Sequence, residues 1–385
     1  MISFRDWFLT ALTLLAAIAH ARVVLRLIDS ARRRIHRAFG AFPPPLDHGP
    51  VTVIVPVYNE QSRLAPCLEG LLRQPDLVQT IMVVDTGSTD RTRHLVAAYA
   101  ARDGRVRLVE AGPPPLGWNG KSWGIAHGLR HAPATPWYLL VDADVRPAPT
   151  LVPRLVAAAA SAGVAAASVA LRQHVTDTLS WILHPSMLSS LVYRVGLPGR
   201  IDCTPDRAFA NGQVLLLSRD AAALLRAFHD LAYVNAEDVA LARALTARGR
   251  PVAFFDSLDA SFVTMYANAA QVWHRWPRSL PMLDGYSRQR AWLDLATLGA
   301  TQGLWLPLLL LAWMTSGRRI LRFIAWFGVA FRLGLLLGMR RAYSGRSLWY
   351  WISPGADPIV VLRILQAALQ KQHDWRGRQL VPRRS

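Results

Sequence analysis

The chain has 385 residues, 52% of them hydrophobic, a mean hydropathy of +0.19, and a formal charge of +19 from 44 Lys and Arg against 25 Asp and Glu. That length holds two ordinary domains or one catalytic domain with membrane segments. Its only cysteines, Cys67 and Cys203, have no metal-ligand spacing, which excludes a disulfide framework and a zinc site and leaves both to be read as buried small hydrophobes.

In chain order, the first apolar run is Trp7 to Ile28, interrupted near its end by Arg22 and Arg26. Before Arg22 it is barely long enough for a hydrocarbon core of about 30 Å, which takes about 20 helical residues, and arginines near a helix end can snorkel to the interface. The basic cluster Arg32, Arg33, Arg34 and Arg37 follows the run, whereas a signal peptide carries its charge first. A retained anchor is expected, with the downstream chain in the cytoplasm by the positive-inside rule. Pro43, Pro44 and Pro45 close the segment.

Val51 to Val57 is short and β-branched and predicts a buried strand. A helix over Ser62 to Arg73, a strand over Thr80 to Val84 and a helix over Arg91 to Ala101 capped by Asp90 come next. A strand over Arg105 to Val109, a helix entered from Gly120 to Gly128 and a strand over Trp137 to Val141 complete the run. This alternation predicts an α/β domain with a mostly parallel sheet and helices on both faces. Ligands of such sheets sit beyond the carboxyl ends of the strands, where Tyr58-Asn59-Glu60, Asp85 and Asp142-Ala143-Asp144 fall. Neither Gly-x-Gly-x-x-Gly nor the P-loop signature stands in those turns, which argues against dinucleotide and P-loop enzymes.

Further along, Leu179 to Val195 has helical apolar spacing and contains Pro185; it is expected as an interfacial helix, with a broken core helix as the other reading. Asn235 is placed to cap a helix over Ala236 to Arg248, and a strand is expected over Ser261 to Tyr266. Leu295 to Thr315 and Ile320 to Gly338 read as a helical hairpin across the link Ser316 to Arg319. Arg322 and Arg332 inside the second run call for a packing partner or an interfacial position. Ile359 to Leu369 is too short to span, and the tail Trp375 to Arg384 is basic. Two to four membrane helices are expected, with an anchor and linker over 1–45, a catalytic domain over 46–290 and a membrane hairpin with its tail over 291–385.

Asp142 and Asp144 after an apolar strand pair two carboxylates at a sheet edge. Mg²⁺ is usually held by one or two carboxylates plus substrate phosphates, while a solvated turn before Pro147 explains the pair equally well. Lys121 sits where a helix starts, against the helix dipole, and gains little there unless a phosphate or sugar oxygen meets it. Glu237 and Asp238 stabilise a helix N-terminus whatever else they do. Arg275 or Arg278 can clamp a diphosphate and Trp276 can stack on a sugar or acceptor, or the three form an interfacial belt before the membrane hairpin.

The order Val55-Pro56-Val57-Tyr58-Asn59-Glu60, then Val84-Asp85-Thr86-Gly87-Ser88-Thr89-Asp90, then Asp142-Ala143-Asp144 resembles the family 2 glycosyltransferases of GT-A fold. The family usually pairs aspartates in the second element, where Thr86 stands here. The segment Gly117-Trp118-Asn119-Gly120-Lys121 is similar to the membrane-associated, hopanoid- and carotenoid-type branch. The resemblance implies that Tyr58, Glu60 and Asp85 line a nucleoside pocket, that Asp142 faces the ribose or sugar, and that Asp144 ligates Mg²⁺ or Mn²⁺. It makes Asp238, ahead of Glu237, the general base of an inverting transfer. Processive members carry Gln-x-x-Arg-Trp; here Gln271 and Arg275 are four apart, with Trp276 next, which argues against a polysaccharide synthase.

The function expected is transfer of a sugar from a nucleotide-sugar, UDP-linked, to a lipid acceptor of terpenoid or carotenoid type. The site would lie at the cytoplasmic face of the inner membrane, with no nucleic-acid partner. A polysaccharide synthase of the same family and a non-catalytic membrane or nucleic-acid-binding protein are the alternatives. The charge alone supports the last, but no zinc-finger or basic-zipper pattern accompanies it and many arginines flank apolar runs.

Overall fold

The computed structural model describes residues 4–33, 49–226, 232, 234, 236–256, 261–283, 287–314, 319–370, 373–375 and 378–380. Arg34, Arg37, Pro43 to Pro45, Asn235 and the link 316–318 lie outside the described residues. The chain divides into two compact units. One, the α/β unit, comprises 33–173, 198–265 and 371–385; the other, helical, comprises 1–32, 174–197 and 266–370. Residues 174–197 and 266–290, which the sequence reading groups with the catalytic domain, pack in the helical unit.

The α/β unit is built on an eight-stranded sheet. Its strands in chain order are β1 (Val51–Val57), β2 (Val78–Asp85), β3 (Val106–Glu110), β4 (Trp137–Val141), β5 (Ala166–Ala170), β6 (Arg200–Asp202), β7 (Val214–Ser218) and β8 (Val252–Asp256). Their spatial order is β3-β2-β1-β4-β7-β5-β8-β6. β1 pairs parallel with both β2 and β4, while β7 runs antiparallel between β4 and β5. The chain therefore leaves β1 in one direction and returns to its other side at β4. That reversal opens a crevice beyond the carboxyl ends of β1 and β4, where open α/β sheets bind ligands.

Period-two alternation divides the core between the two faces. Val51, Val53, Val55 and Val57 with Leu139 and Val141 pack on one face; Ile54 with Tyr138 and Leu140 packs on the other. The first face is covered by helices Leu64–Leu72 and Leu151–Ser161, and the second by Gly120–His131 and Glu237–Thr246. Helix Gly120–His131 lies close on β1 because a Cβ at Gly128 would stand 2.6 Å from Ile54 Cγ2 and one at Gly124 would stand 2.9 Å from Pro56 Cβ. Only glycine permits that approach.

Several expectations change. The helix after β2 runs over Thr92–Arg102 with Arg91 at its N-cap position, yet Asp90 Oδ1 still accepts from Thr92 N at 2.9 Å. The strand expected over Ser261 to Tyr266 shrinks to Phe262–Val263, in a small sheet with Val145–Arg146 and Arg172–Gln173. Cys67 is buried but Cys203 is exposed.

In the helical unit, Trp7–Arg32, Arg319–Ala342 and Leu348–Leu369 are each long and apolar enough to cross a membrane. Arg288–Gly303 with Trp305–Met314 forms a fourth such run, bent by 46°; the bend follows a π-helical turn over Gly299–Gly303. The run ending at Leu369 is longer than expected because 3₁₀ turns over Leu348–Ala356 lead into helix Asp357–Leu369. Arg332 finds its partner inside the unit: Nε lies 2.6 Å from Asp357 Oδ2, and both side chains are buried. Gln302, Trp305 and Ser186 also donate to the Asp357 carboxylate. Arg22 and Arg26 of the first helix pair with Asp294 at 3.0 and 2.8 Å, so that helix is tied into the unit by charge as well as apolar packing. Thr178–Val195 is one continuous helix through Pro185, with Trp181, His184, Met187 and Tyr193 among its buried residues. It is neither broken nor laid open on a surface as the interfacial reading expects.

Candidate active site

Five carboxylates and two cations gather beyond β1 and β4. Asp142 follows the last residue of β4, and Lys121 opens helix Gly120–His131, where Asn119 caps by accepting from Lys121 N. Lys121 Nζ lies 2.7 Å from Asp142 Oδ1 and 2.9 Å from Glu237 Oε1, and donates to Gly212 O at 3.2 Å. Burial alone would lower the Lys121 pKa, but Asp142 and Glu237 outweigh it and hold the ammonium well above its usual range. The helix start that opposes a cation by its dipole is thus overruled by two carboxylates.

Glu60, on the turn after β1, is buried and chelated by Arg63, whose Nε and Nη2 both reach Glu60 Oε2 (2.9 and 2.8 Å). Arg63 Nη1 also reaches Asp144 Oδ2 at 3.3 Å. Asp144 Oδ1 is buried and has no hydrogen-bond partner among the described residues. Burial pushes both Glu60 and Asp144 up to about 7, with Arg63 opposing the shift in each case and Asp142 adding to it. Asp142 and Asp144 keep 25% and 16% of their side chains exposed, so a ligand can reach them.

Asp238 is the second residue of helix Glu237–Thr246. Its Oδ2 accepts from Gly212 N at 2.6 Å and its Oδ1 from Val239 N at 2.9 Å. Burial, then the neighbouring Glu237, push its carboxyl up to about 7 against the pull of Lys121 and both N–H donors. A carboxyl poised near neutrality is what a general base requires.

Asp85 ends β2 and is engaged by its own loop: its oxygens accept from Gly87 N, Ser88 N and, at 2.8 Å, Arg93 Nε. Asn59, in the left-handed region at φ 53°, joins the two loops by accepting from Thr89 N at 2.8 Å. Tyr58 is half-buried beside it. Arg275, Trp276 and Arg278 belong to the helical unit. There Arg275 is exposed, while Trp276 is buried with its ring 4.4 Å from that of His184 and 6.0 Å from that of Tyr266. The structure therefore brings Glu60, Lys121, Asp142, Asp144, Glu237 and Asp238 together in one unit. Two members of the cluster escape the sequence reading. Arg63 looks like any helix-start cation, and Gly212 is signalled only by the Asn-Gly pair at 211–212.

Residues 52–227 match the family described as Glycosyl transferase family 2. A stretch of 100 residues is 34% identical to the 4,4'-diaponeurosporenoate glycosyltransferase of Staphylococcus aureus (strain USA300), covering 26% of this chain and 25% of that protein. Another of 59 residues is 37% identical to the uncharacterized glycosyltransferase EpsJ of Bacillus subtilis (strain 168), covering 15% of this chain and 17% of EpsJ. The chain thus spans a quarter or less of these relatives. Among solved structures, the mannosyltransferase PcManGT from Pyrobaculum calidifontis, in complex with GDP-Man and Mn²⁺, is similar over 94% of this chain and 98% of its own, with a TM-score of 0.54 and 18% identity. Family match, strand order and the acidic cluster at the strand ends agree: the α/β unit carries a family 2 glycosyltransferase region over residues 52–227 and has the GT-A fold.

Proposed function

We propose that the protein is an inverting glycosyltransferase that moves a sugar from a UDP-sugar to the hydroxyl of a membrane lipid. The observation that carries this reading is Asp238: a half-buried carboxyl poised near 7 and held by two backbone N–H groups, beside a lysine bound to Asp142. Asp238 takes the acceptor hydroxyl proton as that oxygen attacks the anomeric carbon. The bond from that carbon to the diphosphate oxygen breaks, and the nucleoside diphosphate leaves with the electron pair. One displacement inverts the configuration.

Asp144 fits a divalent cation, Mg²⁺ or Mn²⁺. Among the described residues its buried Oδ1 has no partner, and the five carboxylates outnumber Arg63 and Lys121. Among the described residues, no group of three His, Cys, Asp or Glu side chains is placed to hold a metal unaided. A cation there would draw its remaining ligands from substrate phosphates and water, as Mg²⁺ commonly does. When bound, it supplies charge neutralisation for the departing diphosphate. PcManGT holds Mn²⁺ with its GDP-Man, which supports the same class of cation here.

Glu60 and Tyr58 border the nucleoside side of the crevice in this reading. Asp85 shapes the loop, and it would reach the base or ribose only by yielding its bond to Arg93. Within the helical unit, Arg275 is exposed, while the buried Trp276 packs against His184 and Tyr266. Three to four apolar runs and the 4,4'-diaponeurosporenoate glycosyltransferase relative support a lipid acceptor at the membrane, and the arginines after the first run support its cytoplasmic face. Incubating the purified protein with radiolabelled UDP-glucose, UDP-galactose or GDP-mannose and membrane lipids tests this. Label is expected in the organic phase as a monoglycosylated species. Label in a water-soluble polymer instead overturns the lipid reading in favour of a polysaccharide synthase.

A further inference from the structure

We propose that the three-residue corner Asn211-Gly212-Gln213, which leads into β7, is the positioning element that holds the Asp238 carboxylate and the β4 end in register for proton removal. The inference rests on Asp238 being the base.

Each residue of the corner touches a different part of the site. Gly212 N donates to Asp238 Oδ2 at 2.6 Å, while Gly212 O accepts from Lys121 Nζ at 3.2 Å. Gln213 O accepts from Asp142 N at 2.9 Å. Asn211 locks the corner from behind: its Nδ2 donates to Val169 O on β5 and to Gln213 Oε1, both at 3.0 Å, and its Oδ1 accepts from Gln213 N at 3.3 Å. One short turn thus fixes a strand end and two helix starts without contributing a charged side chain.

Position 212 is too tight for a side chain unless its neighbours give way. A Cβ there would stand 3.0 Å from Asp238 Oδ2, 3.1 Å from Asp238 Cβ and 3.1 Å from Lys121 Nζ. The glycine is kept by that crowding: its φ is not among the positive values. Among the described residues, the charged groups facing Asp238 are Glu237 on its own helix and Lys121 on helix Gly120–His131. The Gly212 N–H bond favours the ionised carboxylate, so lengthening it makes the base harder to deprotonate.

The test compares Gly212→Ala and Asn211→Ala with Asp238→Asn and the unaltered protein in membrane vesicles. It follows nucleoside diphosphate release from UDP-glucose, UDP-galactose and GDP-mannose over pH 5 to 9, with thermal unfolding as a check on folding. Gly212→Ala pushes the carboxylate aside by a few tenths of an ångström; Asn211→Ala loosens the corner and adds no atoms. Both are expected to lower kcat roughly tenfold, since an ångström of misplacement costs about 10²-fold. Both should also move the acid limb of the pH–rate profile upward. If either variant remains folded with kcat and acid limb unchanged while Asp238→Asn is inactive, the corner is not a positioning element and the base assignment survives. If Asp238→Asn retains turnover, the base reading itself falls. Should Gly212→Ala fail to fold, Asn211→Ala decides alone, because it removes a side chain from a half-buried site and introduces no clash.

Discussion

As the proposed base, the half-buried Asp238 has to tolerate partial desolvation and still take a proton, and its surroundings set that balance. With the carboxyl pushed up to about 7, turnover should fall as pH drops through about 7 and level off above it, because protonation removes the base. An ordinary aspartate would not limit the rate until about pH 4. Stability runs the opposite way with pH. A carboxyl raised in the fold favours the folded state fully below its unfolded pKa, and that contribution is lost as pH rises from about 4 through about 7. Asp238→Asn keeps the shape without the basicity, so turnover should fall by about 10²-fold or more with nucleotide binding nearly intact. If activity survives and Glu237→Gln abolishes it, the base is Glu237. For Asp144→Ala, calorimetry with UDP-glucose should lose the Mn²⁺-dependent part of donor binding; an unchanged response to Mn²⁺ removes Asp144 from the metal site.

At the scale of elements, the helical unit is held by charges that apolar helices would ordinarily avoid. Arg332 and Asp357 are both buried, and the pair is joined by Gln302, Trp305 and Ser186. Breaking a buried pair from one side strands the other charge, at a cost of about 3–5 kcal/mol, whereas replacing both partners by apolar groups is often neutral. Arg332→Leu and Asp357→Leu should each lower the unfolding temperature in detergent markedly, and the double variant should recover most of the loss. Additive single effects would show that the two charges are not coupled. The elements of the α/β unit obey simpler rules. β1 and β4 are readable residue for residue, because an unbroken β-branched or apolar run has no other comfortable place than a buried strand. Thr80 to Val84 falls short of Val78–Asp85 since Gln79 and Asp85 are polar, while the ladder to β1 reaches Val78 across an irregularity that skips Gln79 and both ladders run through Asp85.

For the whole molecule, the expected orientation has a direct test. In a Cys203→Ser background, Arg33→Cys should remain unlabelled by a membrane-impermeant thiol reagent in intact cells and become labelled after permeabilisation. Labelling of intact cells would reverse the topology. Sequence alone established the α/β class, the acidic clusters at the strand ends and the apolar runs, because each is written in a local period or a short motif. It also named Lys121, Asp142, Asp144 and Asp238 one by one. Only the tertiary structure decided what these residues do to each other. Lys121 meets Asp142 and Gly212 meets Asp238 across separations of 21 and 26 residues, and Arg63 reaches Asp144 across 81. Arg332 is costly in lipid until Asp357 is folded against it. Local patterns follow from backbone geometry, while compensation of a buried charge depends on which distant groups the fold carries within about 3 Å of it, and no period in the sequence records that.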